Sequence, residues 1–271
     1  MTAPDWLCPF HVFTPSWDAG VLTLHRPLSG AWCTDQVELM TRLFEQLACD
    51  PDTRVLVFQL DTPQTGAMDA DHWRQALAAD PARTRRALQS LHQWRTRQMK
   101  VLPQAVLTLA QGHCSGIDLV LIEGSDVALA DEFSVFDVDE TLVLYLGASG
   151  EPCWAERPTP HLLPLDPLRV QRLNAQQAQS ENWITFTLPR DEVSPFAEDL
   201  IRSWQAKDPL ALQFTKETLT HVHHMTWDAS VNYTAAKFVE IKARQAELGS
   251  SSRAQAIAGF LAGQSKPGLK G

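Results

Sequence analysis

Apolar and polar positions change period several times along this chain. Over Gly20 to Pro27 they alternate, as a strand with one face buried does, and Pro27 marks its end. From Thr34, read as an N-cap, Val37, Met40, Phe44 and Leu47 recur at helical spacing until Pro51. Arg54 to Leu60 is a short apolar run between polar turns and predicts a strand buried on both faces. The sequence of strand, helix and strand predicts a parallel unit with a right-handed crossover.

The same order recurs further on. Val106 to Ala110 predicts a strand, Gln111 to Gly116 a sharp polar turn, Ile117 to Glu123 a short helix, and Val127 to Ala130 a strand. Between the two units an arginine-rich helix carries Arg83, Arg85, Arg86, Arg95 and Arg97, with Leu88, Leu91 and Trp94 on another face. A solvated face is the plain reading of these cations, and contact with the phosphates of a ligand the sharper one. Pro152, Pro158, Pro160, Pro164 and Pro167 argue against a regular helix before Leu168. The last part is helical in spacing: Pro195 to Ala206, Pro209 to Val222, Thr226 to Leu248 and Ser252 to Ala262, with Gly249 and Gly263 as stops.

Composition narrows the class. With 271 residues, 44% of them hydrophobic, the chain can build one substantial domain and a smaller appendage. No apolar run approaches the roughly 18 residues of a membrane span, and the first residues lack a basic flank for a secretory signal. A net charge of −9 argues against nucleic acid as the main partner. Five scattered cysteines without C-x-x-C spacing fit a reducing cytoplasm and no zinc site. His221, His223 and His224 have no acidic or cysteine partner near in sequence and are not read as a metal site. Cys114 has no base and orienting group beside it, so a buried thiol is expected rather than a nucleophile.

The turn at Gln111 to Gly116 is where chemistry can be placed. A strand that breaks at glycines and enters a helix directly leaves backbone N–H groups at the helix N-terminus, a cradle for an oxygen carrying negative charge. A G-x-x-x-G turn alone is weak grounds, and an ordinary strand–helix connection has the same look.

The register is more specific. Gly112 to Asp126, followed by Phe136 and Glu140, resembles the crotonase (enoyl-CoA hydratase/isomerase) superfamily, with its pattern G-x-A-x-G-G-G-x-E-L-A-x-x-C-D and then F-x-x-x-E. Without a gap, Gly116, Ile117 and Asp118 fall on the three-glycine run, Val120 on the first catalytic glutamate and Glu140 on the second. Thr65-Gly66-Ala67-Met68 resembles the family's A-G-A-D turn, and Asn174 to Ala178 its S-A-x-x-A helix start. Toward the end of the chain, Thr226-Trp227-Asp228, Asn232-Tyr233, Ala236-Lys237 and the tail Ser265 to Leu269 resemble hydroxycinnamoyl-CoA hydratase-lyases. Those enzymes also lack the first glutamate.

The resemblance implies an α/β fold: a crotonase-type ββα spiral core over residues 1–195 and a C-terminal helical oligomerisation unit over 196–271, assembling as a homotrimer or homohexamer. It implies an oxyanion hole from the backbone N–H groups of Ala67 and Ile117, and Glu140 as the catalytic carboxylate. Gly66, Gly116, His113, Val120 and Tyr233 would line the substrate, with Tyr233 otherwise a packing tyrosine. His113 would face substrate or bond a backbone carbonyl. Asp118, Asp137 and Asp139 are expected to be solvated. The substrate would be an acyl thioester of coenzyme A or of the phosphopantetheine arm of an acyl-carrier protein, with no bound cofactor or metal. Burial among Phe136, Val138 and Leu142 would raise the pKa of Glu140. The missing glutamate at Val120, the two lost glycines and the absent G-G-G-G-T-Q-R run keep open a binding protein that has lost catalysis, and the Gln111-Gly112-His113 start resembles some enzymes of polyketide-type assembly lines.

Overall fold

The computed structural model describes residues 13–26, 32–60, 70–138, 171–222 and 225–247. The chain divides after Gln205 into two compact units.

The first unit is built on a six-stranded sheet. Strands β1 (Thr14–Asp18) and β2 (Val21–His25) pair antiparallel; β2, β3 (Val55–Leu60), β4 (Ala105–Ala110), β6 (Val127–Asp131) and β9 (Phe186–Leu188) then follow side by side in parallel. Every residue of β4 is buried, as a central parallel strand covered on both faces requires. A second sheet has the order β5 (His113–Ser115), β7 (Val135–Val138) and β8 (Gln171–Asn174). The chain passes from β4 to β5 in the small sheet, back to β6, and out again to β7. This interleaving was not read from the sequence, which took His113 to Ser115 as turn.

Helices cover the large sheet. Helix α1 (Thr34–Cys49) buries Val37, Met40, Leu43, Phe44 and Leu47. Its N-cap is Cys33 rather than the expected Thr34; the Cys33 N–H donates to Gln36 Oε1 at 2.8 Å, and Thr34 already belongs to the first turn. Helix α2 (Ala70–Ala79) leads to α3 (Pro81–Gln93), which runs through a π-helical turn, Trp94–Gln98, into the short α4 (Met99–Val101). The core here is aromatic, with Trp94 5.5 Å from Phe44 and 6.0 Å from Trp32, ring centre to ring centre.

The arginine-rich segment is not uniformly solvated. Arg85, Arg86 and Arg97 are exposed, whereas Arg83 binds Glu38 and Asp35, and Arg95 is buried against Glu123 at 3.2 Å. Arg95 lies on the π-helical turn, and this turn packs on α5 (Ile117–Gly124). Gly124 permits that approach, since a Cβ there would stand 1.8 Å from Met99 Cε.

Helix α6 (Ala175–Ser180) starts as the sequence suggests, with Asn174 accepting the Gln177 N–H at 2.9 Å. Helix α7 (Arg190–Gln205) begins earlier than Pro195 and carries that proline inside it. Its first-turn acids Asp191 and Glu192 favour the earlier start. The proline-rich segment before Leu168 and the helix expected over Ser252 to Ala262 lie outside the described residues.

The second unit contains α8 (Pro209–Val222) packed on α9 (Trp227–Glu247). Lys237 joins them, with Nζ 2.8 Å from Glu217 and 3.0 Å from Glu240. Gln245 adds a bond to Asp208 at 2.7 Å. Among the described residues no helix is long and apolar enough to cross a membrane.

Candidate active site

Parallel strands β2, β3 and β4 end at one edge, and such an edge is where open α/β sheets receive ligands. At that edge Gln111 N–H donates to the Leu60 carbonyl at 2.9 Å, which ties the turn after β4 to the end of β3. Gly112, with φ of 93°, then reverses the chain in a conformation that a side chain would strain. Its N–H donates to Ser134 Oγ at 3.2 Å and its carbonyl accepts from Val135 at 2.8 Å, so the turn is held from the start of β7.

Gly116 is the N-cap of α5, with φ of 56° and ψ of −122°. This backbone needs glycine and lets the chain leave β5 and enter α5 without a spacer. Helix geometry leaves the first-turn N–H groups without intrahelical acceptors. Ile117, the first residue of α5, therefore carries one of these first-turn N–H groups.

Asp118 is not the solvated acid expected from the sequence. It is completely buried and accepts from Arg26 through both carboxylate oxygens, while its Oδ2 lies 3.4 Å from the Ser115 N–H. Arg26 follows β2 and is 6% exposed. A buried carboxylate persists only when paired and hydrogen-bonded, and Arg26 meets that need from across the sheet edge. The sequence reading used Arg26 only as the end of a strand; its place between the apolar Leu22 and Leu24 face and Pro27 was the one available signal.

Asp137 is likewise engaged: it bonds His113 Nε2, and Arg172 Nε on β8 stands 3.6 Å from its other oxygen. His113 thus bonds a carboxylate and not the backbone carbonyl considered for it. The register pairs Cys114 with Phe136 and Ser115 with Asp137. Cys114 and Phe136 belong to the hydrophobic core, so by strand alternation His113 and Asp137 belong to the opposite face of the small sheet.

The other assigned residues divide. Val120 is buried in the core and offers no acid where the resemblance has a glutamate. Cys114 is buried, and that burial, with Asp118 beside it, pushes its thiol well above the ordinary range, as an inert thiol should be. Asp126 accepts the Val106 N–H at 2.8 Å and so links the start of β4 to the start of β6, a structural duty for the aspartate of the C-D motif. Gly66, Ala67, Asp139 and Glu140 lie outside the described residues, as do His223 and His224. Tyr233 belongs to the second unit, where its ring stacks on His221 with centres 5.7 Å apart. No cluster of His, Cys, Asp and Glu among the described residues could hold a metal ion.

No protein-family model matches the chain, and no protein of curated function matches its sequence. Solved structures do match its fold. An enoyl-CoA hydratase from Shewanella pealeana superposes with a TM-score of 0.75 at 18% identity, covering 96% of each chain. An enoyl-CoA hydratase from Bacillus anthracis gives 0.73 at 14% identity, over 94% of this chain and 97% of that one. Human enoyl coenzyme A hydratase domain-containing protein 3 gives 0.72 at 15% identity, over 94% and 99%. The chain therefore has the crotonase fold, an α/β core followed by C-terminal helices.

Proposed function

We propose that this protein acts on an acyl thioester, stabilising its enolate between two backbone N–H groups and moving protons with a single carboxylate. The observation that carries the reading is the α5 N-terminus. In a crotonase fold, the positive-φ Gly116 caps the helix that starts at Ile117, which supports a reading in which the Ile117 N–H would meet the substrate oxygen. Ala67 would give the second N–H. Two donors aimed at a developing oxyanion are worth several kcal/mol of transition-state energy, about a hundredfold to a thousandfold in rate for each.

Glu140 would exchange the proton at carbon, giving isomerase chemistry or the hydration and retro-aldol steps of a lyase. Val120 is apolar and buried, and Asp118 and Asp137 are already paired, so none of these three supplies a second carboxylate for holding an attacking water. Coenzyme A is the thioester carrier in the names of the structural neighbours and is the proposed carrier here; an acyl-carrier protein is the other candidate. Gly66, Gly116, His113 and Val120 would line the acyl group; Tyr233 is kept as a substrate-binding candidate. We place the enzyme in the cytoplasm as a homotrimer or homohexamer.

The test is exchange of the α-proton of a panel of acyl-CoA thioesters in deuterated water, read by mass spectrometry. Wild-type protein should exchange the proton of at least one thioester. Glu140→Gln should lose exchange while keeping affinity nearly intact. Full exchange in the Glu140→Gln variant rejects the assignment of Glu140. Binding without exchange in the wild type supports the second reading, a thioester-binding protein without catalysis, which the apolar Val120 favours.

A further inference from the structure

We infer that Arg26 is a positioning residue for the thioester oxygen: its buried pairing with Asp118 neutralises a carboxylate that would otherwise oppose the enolate beside the Ile117 N–H. The inference rests on the enolate reading above and names a residue that reading does not use.

Three observations place the charge. Asp118 is the second residue of α5, next to the proposed donor, and its side chain is 1% exposed. Its Oδ2 lies 3.4 Å from the Ser115 N–H, so the carboxylate folds back onto the turn that carries Gly116 and Ile117. Arg26 reaches it from the end of β2, and its Nη2 is buried with no hydrogen-bond partner, so Asp118 does not use every donor of the guanidinium.

The consequence follows from the field of the helix. An N-terminus favours one negative charge, and Asp118 already occupies it. A second negative charge arriving at the Ile117 N–H meets like-charge repulsion that low dielectric magnifies. With Arg26 present the pair is neutral, and the dipole and the N–H remain available to the oxygen. The aspartate stands where the resembling pattern has glycine, so this chain carries both the added anion and its neutraliser. Among the described residues, the other titratable groups around the pair are Cys114, whose thiol stays neutral, and Asp131, which is ion-paired with Arg190 at 2.9 Å.

A structural salt bridge and a neutralising one predict different patterns. The probe is acetoacetyl-CoA, whose enolate has its own ultraviolet absorbance, titrated on wild type, Arg26→Met, Asp118→Asn and the double variant. Wild type should hold part of the bound ligand as enolate near neutral pH. Asp118→Asn leaves an unopposed cation and should shift the enolate's apparent pKa down, about tenfold more enolate at a given pH for each unit. Arg26→Met takes the guanidinium away from the buried Asp118 carboxylate and should lower the enolate fraction by about tenfold or more. The double variant should return toward wild type.

If Arg26→Met does not fold by circular dichroism, Asp118→Asn alone decides by the direction of its shift, with Arg26→Lys expected to stay close to wild type. Single variants that move the enolate fraction in the same direction, or an Asp118→Asn variant that lowers it, overturn the inference while leaving the thioester reading intact. A wild-type protein that binds neither acetoacetyl-CoA nor acetoacetyl-acyl-carrier protein, nor any thioester of the acyl-CoA panel, rejects the thioester reading and this inference with it.

Discussion

Helices α5 and α9 make opposite use of apolar side chains. In α5, Ile117, Leu119, Val120, Leu121 and Ile122 are all buried, and even the charged Asp118 is enclosed. In α9, Trp227 is 80% exposed, Phe238 62% and Val239 68%, with Val231 also outside. A helix apolar all round has to be surrounded by its own chain, which α5 achieves between the two sheets and the π-helical turn. A long helix with large apolar residues outside offers a surface of the kind buried when subunits meet. The lesson is that α5 is defined by its own fold, whereas the outer face of α9 is defined by what it would meet.

The sharpest way to break this contrast is at the first residue of α5. Proline is tolerated at a first helical position, where the N–H has no helical acceptor, so Ile117→Pro removes the proposed donor with little damage to the helix. Thioester turnover or α-proton exchange should fall by about a hundredfold to a thousandfold. Circular dichroism should stay close to wild type, and loss of the buried isoleucine volume should lower the melting temperature by an amount equivalent to about 1–3 kcal/mol. An unchanged rate would remove Ile117 from the oxyanion assignment.

On the α9 side, Phe238→Asp places a charge on the apolar face. Light scattering should show wild-type protein as a trimer or larger and the variant at lower mass, with the melting of the subunit itself changed little. A monomeric wild type would remove the assembly proposal, and the contrast between the helices would then need another partner for α9.

The smallest effect concerns His92, on the α3 segment that runs into the π-helical turn against α5. Burial, and then the nearby Arg95, hold its pKa below the ordinary 6.5. Below that value the unfolded chain takes up a proton that the folded chain resists. Stability is therefore complete above about pH 6.5 and falls as the pH drops toward the folded value. His92→Leu should flatten the dependence of melting temperature on pH between about 7 and 5. A slope equal to wild type would assign acid sensitivity elsewhere.

Some of this was legible residue by residue. Strands β2, β3, β4 and β6, helix α1 and helix α5 follow from period and punctuation, because alternation, apolar runs and glycine stops are local consequences of backbone geometry. Gly116 and Ile117 were legible for the same reason: a strand, a glycine turn and a helix in immediate succession leave N–H groups at the junction. The short strand at His113 to Ser115 was not legible, since three residues carry no period and their pairing with Val135 to Asp137 spans a whole βαβ passage.

What the sequence determined by itself is the order of the longer elements, their buried faces and the strand–glycine–helix junction at Gly116. Only the tertiary structure decided which charges are spent. Asp118 and Asp137 look alike in sequence as acids among apolar neighbours, and nothing local distinguishes a solvated carboxylate from a buried one. Their states depend on Arg26 and His113, brought to them by sheet pairing from distant or separately folded segments. Burial and ion pairing are properties of neighbours in space, and a chain read in order cannot name those neighbours until the sheets have closed around them.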